Sequence, residues 1–271
     1  MKNELAKKII LPVIVLAVIL AAWSWLAAVV EDFPTPGDTY VSAFGGTTSN
    51  GDEVEGVLTD PFYIVNEDNK GVFWQIFASL ERVFAGFTLA IFAGVPLGLM
   101  IGMSKSAQYA FDPFIQIFKP VSPLAWLPLL LYIFQDINMT AISTIFVTSI
   151  WPIIINTALG VRNVSQDYMN VAKVLQFTPM EKIRKIILPV AVPFIFTGMR
   201  LSLGIAWLVI VAAEMLTGGI GIGFWIWDEY NNLNYHHIII GILIVGIVGF
   251  ILDLLMGKVS DFFDYRKKGR S

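Results

Sequence analysis

Long apolar runs separated by short polar intervals repeat along the chain, and the length of the runs decides what they are. IILPVIVLAVILAAWSWLAAVV (9–30) holds no charged residue and is longer than the roughly 18 residues that suffice to span a bilayer. Further runs predict membrane helices at 72–103, 111–134, 140–161, 189–216 and 237–257. The second exceeds one crossing. Its first part, VFWQIFASLERVF with Glu81 and Arg82, is expected to lie along the interface before the chain turns inward. The first run outlasts the roughly 7–15 apolar residues of a signal sequence, so it is expected to stay as a helix. The expected fold is an all-α membrane protein with six transmembrane helices.

Composition agrees: 56% of the 271 residues are hydrophobic and 14% charged, where a soluble domain carries about a quarter charged. The absence of cysteine excludes disulfides, thiolate metal sites and cysteine nucleophiles. Charge placement orients the bundle. Lys2, Lys7 and Lys8 precede helix one, and Lys105 lies between helices two and three. Arg162, Lys173, Lys182, Arg184 and Lys185 lie between helices four and five, and Lys258, Arg266, Lys267, Lys268 and Arg270 follow helix six. Six spans put all of these on one side, which the positive-inside rule makes the cytoplasm, with both termini there. The opposite segments are acidic: Glu31, Asp32, Asp38, Asp52, Glu53, Glu55, Asp60, Glu67 and Asp68 stand against Lys70, and Asp228 and Glu229 follow helix five. Four parts result: an N-terminal helix (1–30), an exterior loop (31–71), a five-helix core (72–257) with a cytoplasmic segment (163–188), and a basic tail (258–271). The Gly/Thr/Ser/Asn-rich middle of the loop reads equally as a partner contact and as a solvated excursion.

Gly86, Ala90, Gly94, Gly98 and Gly102 recur every four residues in helix two. That spacing makes one narrow stripe on which another helix can pack closely. KPVSPLAWLP (119–128) holds three prolines, and broken helices are tolerated in membranes where protein or a watery cavity satisfies the freed backbone. This element, with Trp126, is a candidate lining of a pathway. Arg200 and Glu214 are ionisable residues within helix five, about 21 Å apart along its axis. Each either snorkels or bonds to backbone, or lines a path in which Arg200 offers positive potential to an anion. His236 and His237 open helix six without a carboxylate at metal-ligand spacing. GGIGIG (218–223) lies outside a membrane span and not after a soluble strand, which excludes a nucleotide fingerprint, and no GxxxxGK[ST] loop exists. No enzyme constellation remains, and no metal or cofactor is expected in this chain.

VAKVLQFTPMEKIRKIILPVAVP (171–193) is a basic, proline-punctuated interval. Thr178-Pro179-Met180-Glu181 fits a capping box with proline at the first helical position. A short helix is expected to end near Gln176–Phe177 and another to begin after Thr178. The second would present Met180, Ile183 and Ile187 on one side and Lys182, Arg184 and Lys185 on the other, with Leu188-Pro189 returning the chain to the bilayer. Charge pattern alone leaves docking to a soluble partner and adhesion to anionic lipid equally open.

This interval resembles the cytoplasmic loop of ABC importer permeases, whose pattern EAA, then G, then I-x-LP maps onto Asn170-Val171-Ala172, Gln176 and Ile186-Ile187-Leu188-Pro189. Asn170, Val171 and Gln176 depart from the usual residues. SPLAWLPLLL and LPVAVPFIFTGMRLSLGIAWLVIVAAEMLTGGIGIGFWIWDEYNNLN, with the small-residue stripe, are similar to nitrate-type importer permeases, relatives of bicarbonate and cyanate permeases and more distantly of sulfonate/taurine ones. The resemblance covers about 72–257. It implies a type I (MetI-like) permease fold, a second permease copy forming a homodimer across a central path, cytoplasmic ATPase subunits that use ATP and magnesium, and a periplasmic or lipid-anchored solute-binding protein. It also implies a multi-pass place in a bacterial inner membrane in contact with lipid, and no nucleic-acid partner. The coupling residues would be Ala172, Lys173, Thr178, Pro179, Met180, Glu181, Lys182, Ile183, Arg184, Lys185 and Ile187. The expected cargo is nitrate or nitrite, with bicarbonate, cyanate or an organosulfonate as alternatives. A scaffold without transport would need neither the proline-rich spans nor Arg200.

Overall fold

The computed structural model describes residues 2–49, 51, 53–66 and 70–263, without the side chains of 2–7 and 9. Asp52, Glu67, Asp68, Arg266, Lys267, Lys268 and Arg270 lie outside the described residues, as do the side chains of Lys2 and Lys7. The chain divides into two compact units, one of Met1–Gln75 with Trp225–Ile244 and one of Ile76–Phe224 with Val245–Ser271.

In the first unit, α1 (Lys2–Val29) is apolar and exposed along its candidate span, Ile10–Val29. The loop after it is more ordered than its composition predicts. Thr35 caps α2 (Pro36–Phe44), accepting from the Asp38 N–H, and Pro36 takes the first helical position. A two-stranded ribbon, β1 (Gly46–Thr47) against β2 (Glu53–Val54), pairs Gly46 with Val54 and Thr47 with Glu53.

α3 (Val72–Met103) is one unbroken helix. The expectation that its first part lies apart along the interface therefore fails, and Arg82 is buried. Where one helix was expected over 111–134, there are two, α4 (Lys105–Phe118) and α5 (Pro123–Phe134), bent by 96° at the break between them. Pro123 forces extended backbone on Ser122, whose ψ is 134°. Ser104 caps α4 and carries it into a polar first turn that hydropathy alone omits. Among the described residues five helices are long and apolar enough to cross a membrane, six counting the bent pair as one.

α6 (Ile137–Arg162) is the most enclosed helix of the second unit. Thirteen of its residues are buried, among them Ile145, Ile153, Thr144, Ser149 and Thr157. The stripe on α3 lies against it. A β-carbon at Gly98 would stand 2.6 Å from Thr157 Cβ and one at Gly102 2.5 Å from Val161 Cβ, too close for any side chain. On another side, α9 (Leu188–Thr217) approaches as closely, with Gly198 against Pro152 O and Gly160 against Ala191.

After α6 come α7 (Gln166–Val174) and the single turn α8 (Pro179–Lys182). α8 does not end where the sequence suggests. It continues through a π-helical turn, Ile183–Ile187, into α9, giving one 39-residue helix, Pro179–Thr217. Leu188 N–H donates to Ile183 O, five residues back. Pro189 has no N–H and its ring needs room near the carbonyl four residues before it, and the wider turn supplies that room. Leu188-Pro189 is thus inside a helix. α10 (Ile222–Asn231) and α11 (Tyr235–Phe263) complete the fold.

Candidate functional site

The capping box at Thr178 is complete. The Glu181 N–H donates to Thr178 Oγ1 at 3.3 Å, and Glu181 Oε2 accepts the Thr178 N–H at 3.0 Å. Lys185 then pairs with Glu181 at 3.0 Å and stands 4.8 Å from the centre of the Phe177 ring. Burial redistributes the predicted docking residues. Ala172 is fully buried, and Ile187 packs with Val161, Ala191 and Ile195, with Ile183 partly buried against them. Met180, Ile183 and Ile187, expected on one side of this helix, differ in surroundings: Ile183 and Ile187 pack into the protein because the helix continues into the bundle. Met180 is 56% exposed, and Lys173, Thr178, Pro179, Arg184 and Lys185 are exposed with it, while Glu181 and Lys182 are intermediate.

At the break between α4 and α5 lies a recess of about 280 Å³, lined by Lys119, Pro120, Ser122, Trp126, Thr148, Trp151, Pro152 and Ile205 among others. The Phe118 ring stacks on Trp151 at 6.2 Å between centroids and meets Trp126 at 5.9 Å. The proline-dense element therefore presents an aromatic-walled hollow with a lysine at its rim. Freed backbone of this kind is stable at membrane depth only against protein or water.

Glu214 does not line that recess. It is fully buried, and its carboxylate accepts from Arg82 Nη1 at 2.7 Å, from the Ser79 hydroxyl at 2.8 Å and from the Gly223 N–H at 3.0 Å. Arg82 also donates to Ile220 O at 2.6 Å and through Nε to Asn138 Oδ1 at 2.8 Å. Ser79 Oγ in turn accepts the Ile222 N–H at 3.0 Å. The glycines of GGIGIG explain themselves here. Gly218 and Gly219 have φ of +79° and +86°, and a β-carbon on Gly221 would fall 2.2 Å from Glu214 Cδ. The segment is a turn wrapped around a buried carboxylate and held from α3, α6 and α9. Arg82 was the residue missed: its partner lies in another helix, and the adjacent Glu81 obscured it.

Arg200 sits elsewhere. Its Nε and Nη2 donate to Asp253 Oδ1 and Oδ2 of α11 at 2.6 and 2.5 Å, a side-on bidentate pair in which the two side chains are 48% and 50% exposed. Sequence reading named Arg200 but not Asp253, which the basic residues that follow helix six overshadow.

The first unit holds a polar hollow of about 330 Å³ lined by Asp38, Ser42, Thr48, Val54, Asn234, His236 and His237. The Ser49 N–H donating to Asp38, with the Thr35 hydroxyl, keeps the Asp38 carboxyl below its ordinary value. Burial raises the Glu229 carboxyl, but hydrogen bonds from His237 and Asn234 outweigh that and hold it low. Among the described residues no three potential ligands are grouped to hold a metal.

The chain is similar to several known proteins. The sequence pattern of the family described as "Binding-protein-dependent transport system inner membrane component" matches residues 94–264. The chain is 50% identical over 204 residues, 75% of its own length and 73% of the relative's, to a nitrate import permease protein of Leptolyngbya laminosa. It is 46% identical over 198 residues, 73% of its length and 71% of the relative's, to a bicarbonate transport system permease protein of a Synechocystis strain. Its fold matches an inward-facing methionine ABC transporter chain with a TM-score of 0.61 at 15% identity, covering 71% of this chain and 95% of that one.

Proposed function

The chain belongs to the family of binding-protein-dependent transport system inner membrane components, and on that premise we propose that it is the nitrate-carrying permease of an ATP-driven importer. As a multi-pass permease it is no enzyme, and ATP hydrolysis falls to partner ATPase subunits. The observation that carries the cargo is the 50% identity with a nitrate import permease. Related bicarbonate permeases stand at 46% over a similar stretch, so bicarbonate is the second reading.

In the mechanism, α7 and α8 face the cytoplasm, the side their lysines and arginines select, and seat in grooves of the ATPases. Met180 supplies the apolar contact, and Lys173, Arg184 and Lys185 the polar ones. Closure of the ATPases on ATP and magnesium displaces α8. Because α8 is continuous with α9, the displacement passes along a helix of roughly 58 Å without an intervening loop. Close contacts at Gly198 and Gly160 carry it to α6. At the far end Glu214 holds the 218–223 turn, so both faces move with one element. The recess of Trp126 and Trp151 and the guanidinium of Arg200 lie on the path, where a planar oxyanion suits a forked donor. A solute-binding protein delivers the anion from outside, a second copy of the chain completes the path, and the assembly sits in a bacterial inner membrane.

ATP hydrolysis by the complex with its ATPases and binding protein, reconstituted in lipid, tests this. Stimulation by nitrate or nitrite but not by bicarbonate, cyanate or taurine is expected. Stimulation by bicarbonate alone would keep the mechanism and change the cargo, and assembly with no stimulation by any of them would overturn the transport reading.

A further inference from the structure

Among the described residues the second unit contains two arginine–carboxylate pairs built on opposite terms. Arg82–Glu214 is closed: the carboxylate is fully buried, and the arginine is engaged by Glu214, Ile220 O and Asn138. Arg200–Asp253 is open. About half of each side chain is exposed, and only Nε and Nη2 of the guanidinium are used. Nη1 makes no hydrogen bond among the described residues, and the neighbouring position on α11 is Gly257, which puts no side chain over that edge. A bidentate pair is well shaped, and about half of each side chain is left uncovered by this chain, so the fork can be reached by another anion. Its partner can be exchanged.

The frame around the open pair is fixed. Phe196 stacks on Phe263 at 4.8 Å on one side. On the other, Trp207 Nε1 donates to Val245 O at 2.9 Å, with Gly249 beneath the indole. Both contacts join α9 to α11, so Arg200 can change partner by turning its side chain while the two helices stay together. A carboxylate and nitrate present the same feature to a guanidinium, two oxygens in one plane with delocalised negative charge.

We propose that Asp253 is an internal stand-in for the transported oxyanion: it holds the Arg200 fork until an anion arrives and takes it back afterwards. The step is an exchange of ion-pair partners in which no covalent bond forms or breaks. It rests on the anion-importer reading above and adds what that reading lacks, a group that returns the arginine to neutrality and expels the cargo. Without Asp253 no carboxylate would compete for the fork itself, and the charge of Asp261, which also acts on Arg200, would be left to oppose the anion. Asp253 is therefore a positioning residue for release.

The test uses proteoliposomes of the full complex in which ATP-driven nitrate uptake is measured with increasing nitrate preloaded on the release side. Asp253→Asn should make uptake at least fivefold more sensitive to preloaded nitrate and lower its maximal rate. Asp253→Glu, which keeps the carboxylate, should behave as wild type. Arg200→Gln should lower uptake and remove the added sensitivity when combined with Asp253→Asn. Basal ATP hydrolysis of each variant reports assembly independently. Equal sensitivity in wild type and Asp253→Asn, both assembled, would overturn the exchange and leave the importer reading standing. Absence of nitrate uptake by wild type itself would overturn the cargo reading and the exchange with it.

Discussion

Replacing Arg82 by methionine should be among the most damaging single substitutions in this chain, for a reason that can be followed atom by atom. The methionine fills most of the volume but removes three donations, to Glu214, Ile220 O and Asn138. Glu214 keeps the Ser79 hydroxyl and the Gly223 N–H, which is not enough for a carboxylate with no solvent access. Leaving one member of a buried ion pair alone costs about 3–5 kcal/mol, and the orphaned Ile220 carbonyl adds about 1–3 kcal/mol if water cannot reach it. Arg82→Met should thus lose roughly 4 kcal/mol or more. The double variant Arg82→Met/Glu214→Leu removes both charges and should recover much of that loss, because a buried pair exchanged for apolar groups of similar volume is often nearly neutral. Equilibrium unfolding by SDS titration in mixed micelles gives the four corners of the cycle. A coupling energy of about 2 kcal/mol or more is expected, within the range seen for contacting residues. Additive effects, or a loss below about 1 kcal/mol for Arg82→Met, would refute the assignment of this pair as a closed, stability-bearing network.

Gly98→Val should destabilise the second unit by about 1–3 kcal/mol, since its β-carbon meets Thr157 Cβ at 2.6 Å, whereas Gly246→Ala, with open space around it, should be tolerated in the same titration. Met180→Asp should leave folding intact and weaken co-purification with the ATPase subunits at least tenfold, because Met180 is exposed; Ile183→Asp should instead impair folding, because that side chain packs against the buried cluster around Ile187. Asp38 has a folded value below that of the unfolded chain, so the stability it lends is present above about pH 4 and lost as pH falls through its folded value. Amide exchange at Ser49, corrected for its intrinsic pH dependence, should show protection falling over that interval in wild type and no such step in Asp38→Ala.

Much of this architecture was legible because bilayer crossing imposes length and hydropathy directly on sequence. Val72–Met103 agrees with its predicted bounds, and the capping box at Thr178 gave the start of α8 to the residue. What was lost follows from what patterns cannot encode. Pro189 looks like the start of a separate membrane helix, yet it is carried inside a continuous one by a π-turn. The run 105–110 is polar at its start, so hydropathy missed it although Ser104 is a standard cap. Thr35-Pro36 announces α2 by the same chemistry, overlooked inside a segment read as loop. The pairs Arg82–Glu214 and Arg200–Asp253 depend on which helices become neighbours. Each charge was visible, but its partner was not, and without the partner a buried structural carboxylate reads as a path residue.

The π-turn at Ile183–Ile187 has one consequence for how such a chain can change over generations. A π-turn contains a residue more than an α-turn of similar rise, so it works as a vernier. Deleting one residue there would let the turn relax to ordinary helix, with α9 kept in register against α6. The segment before it, with Met180 and its neighbouring cations, would keep its azimuth, because the shortened turn still closes once around the axis. A lineage could thereby gain or lose one residue here without re-aiming the face that Met180 presents and without disturbing the membrane bundle.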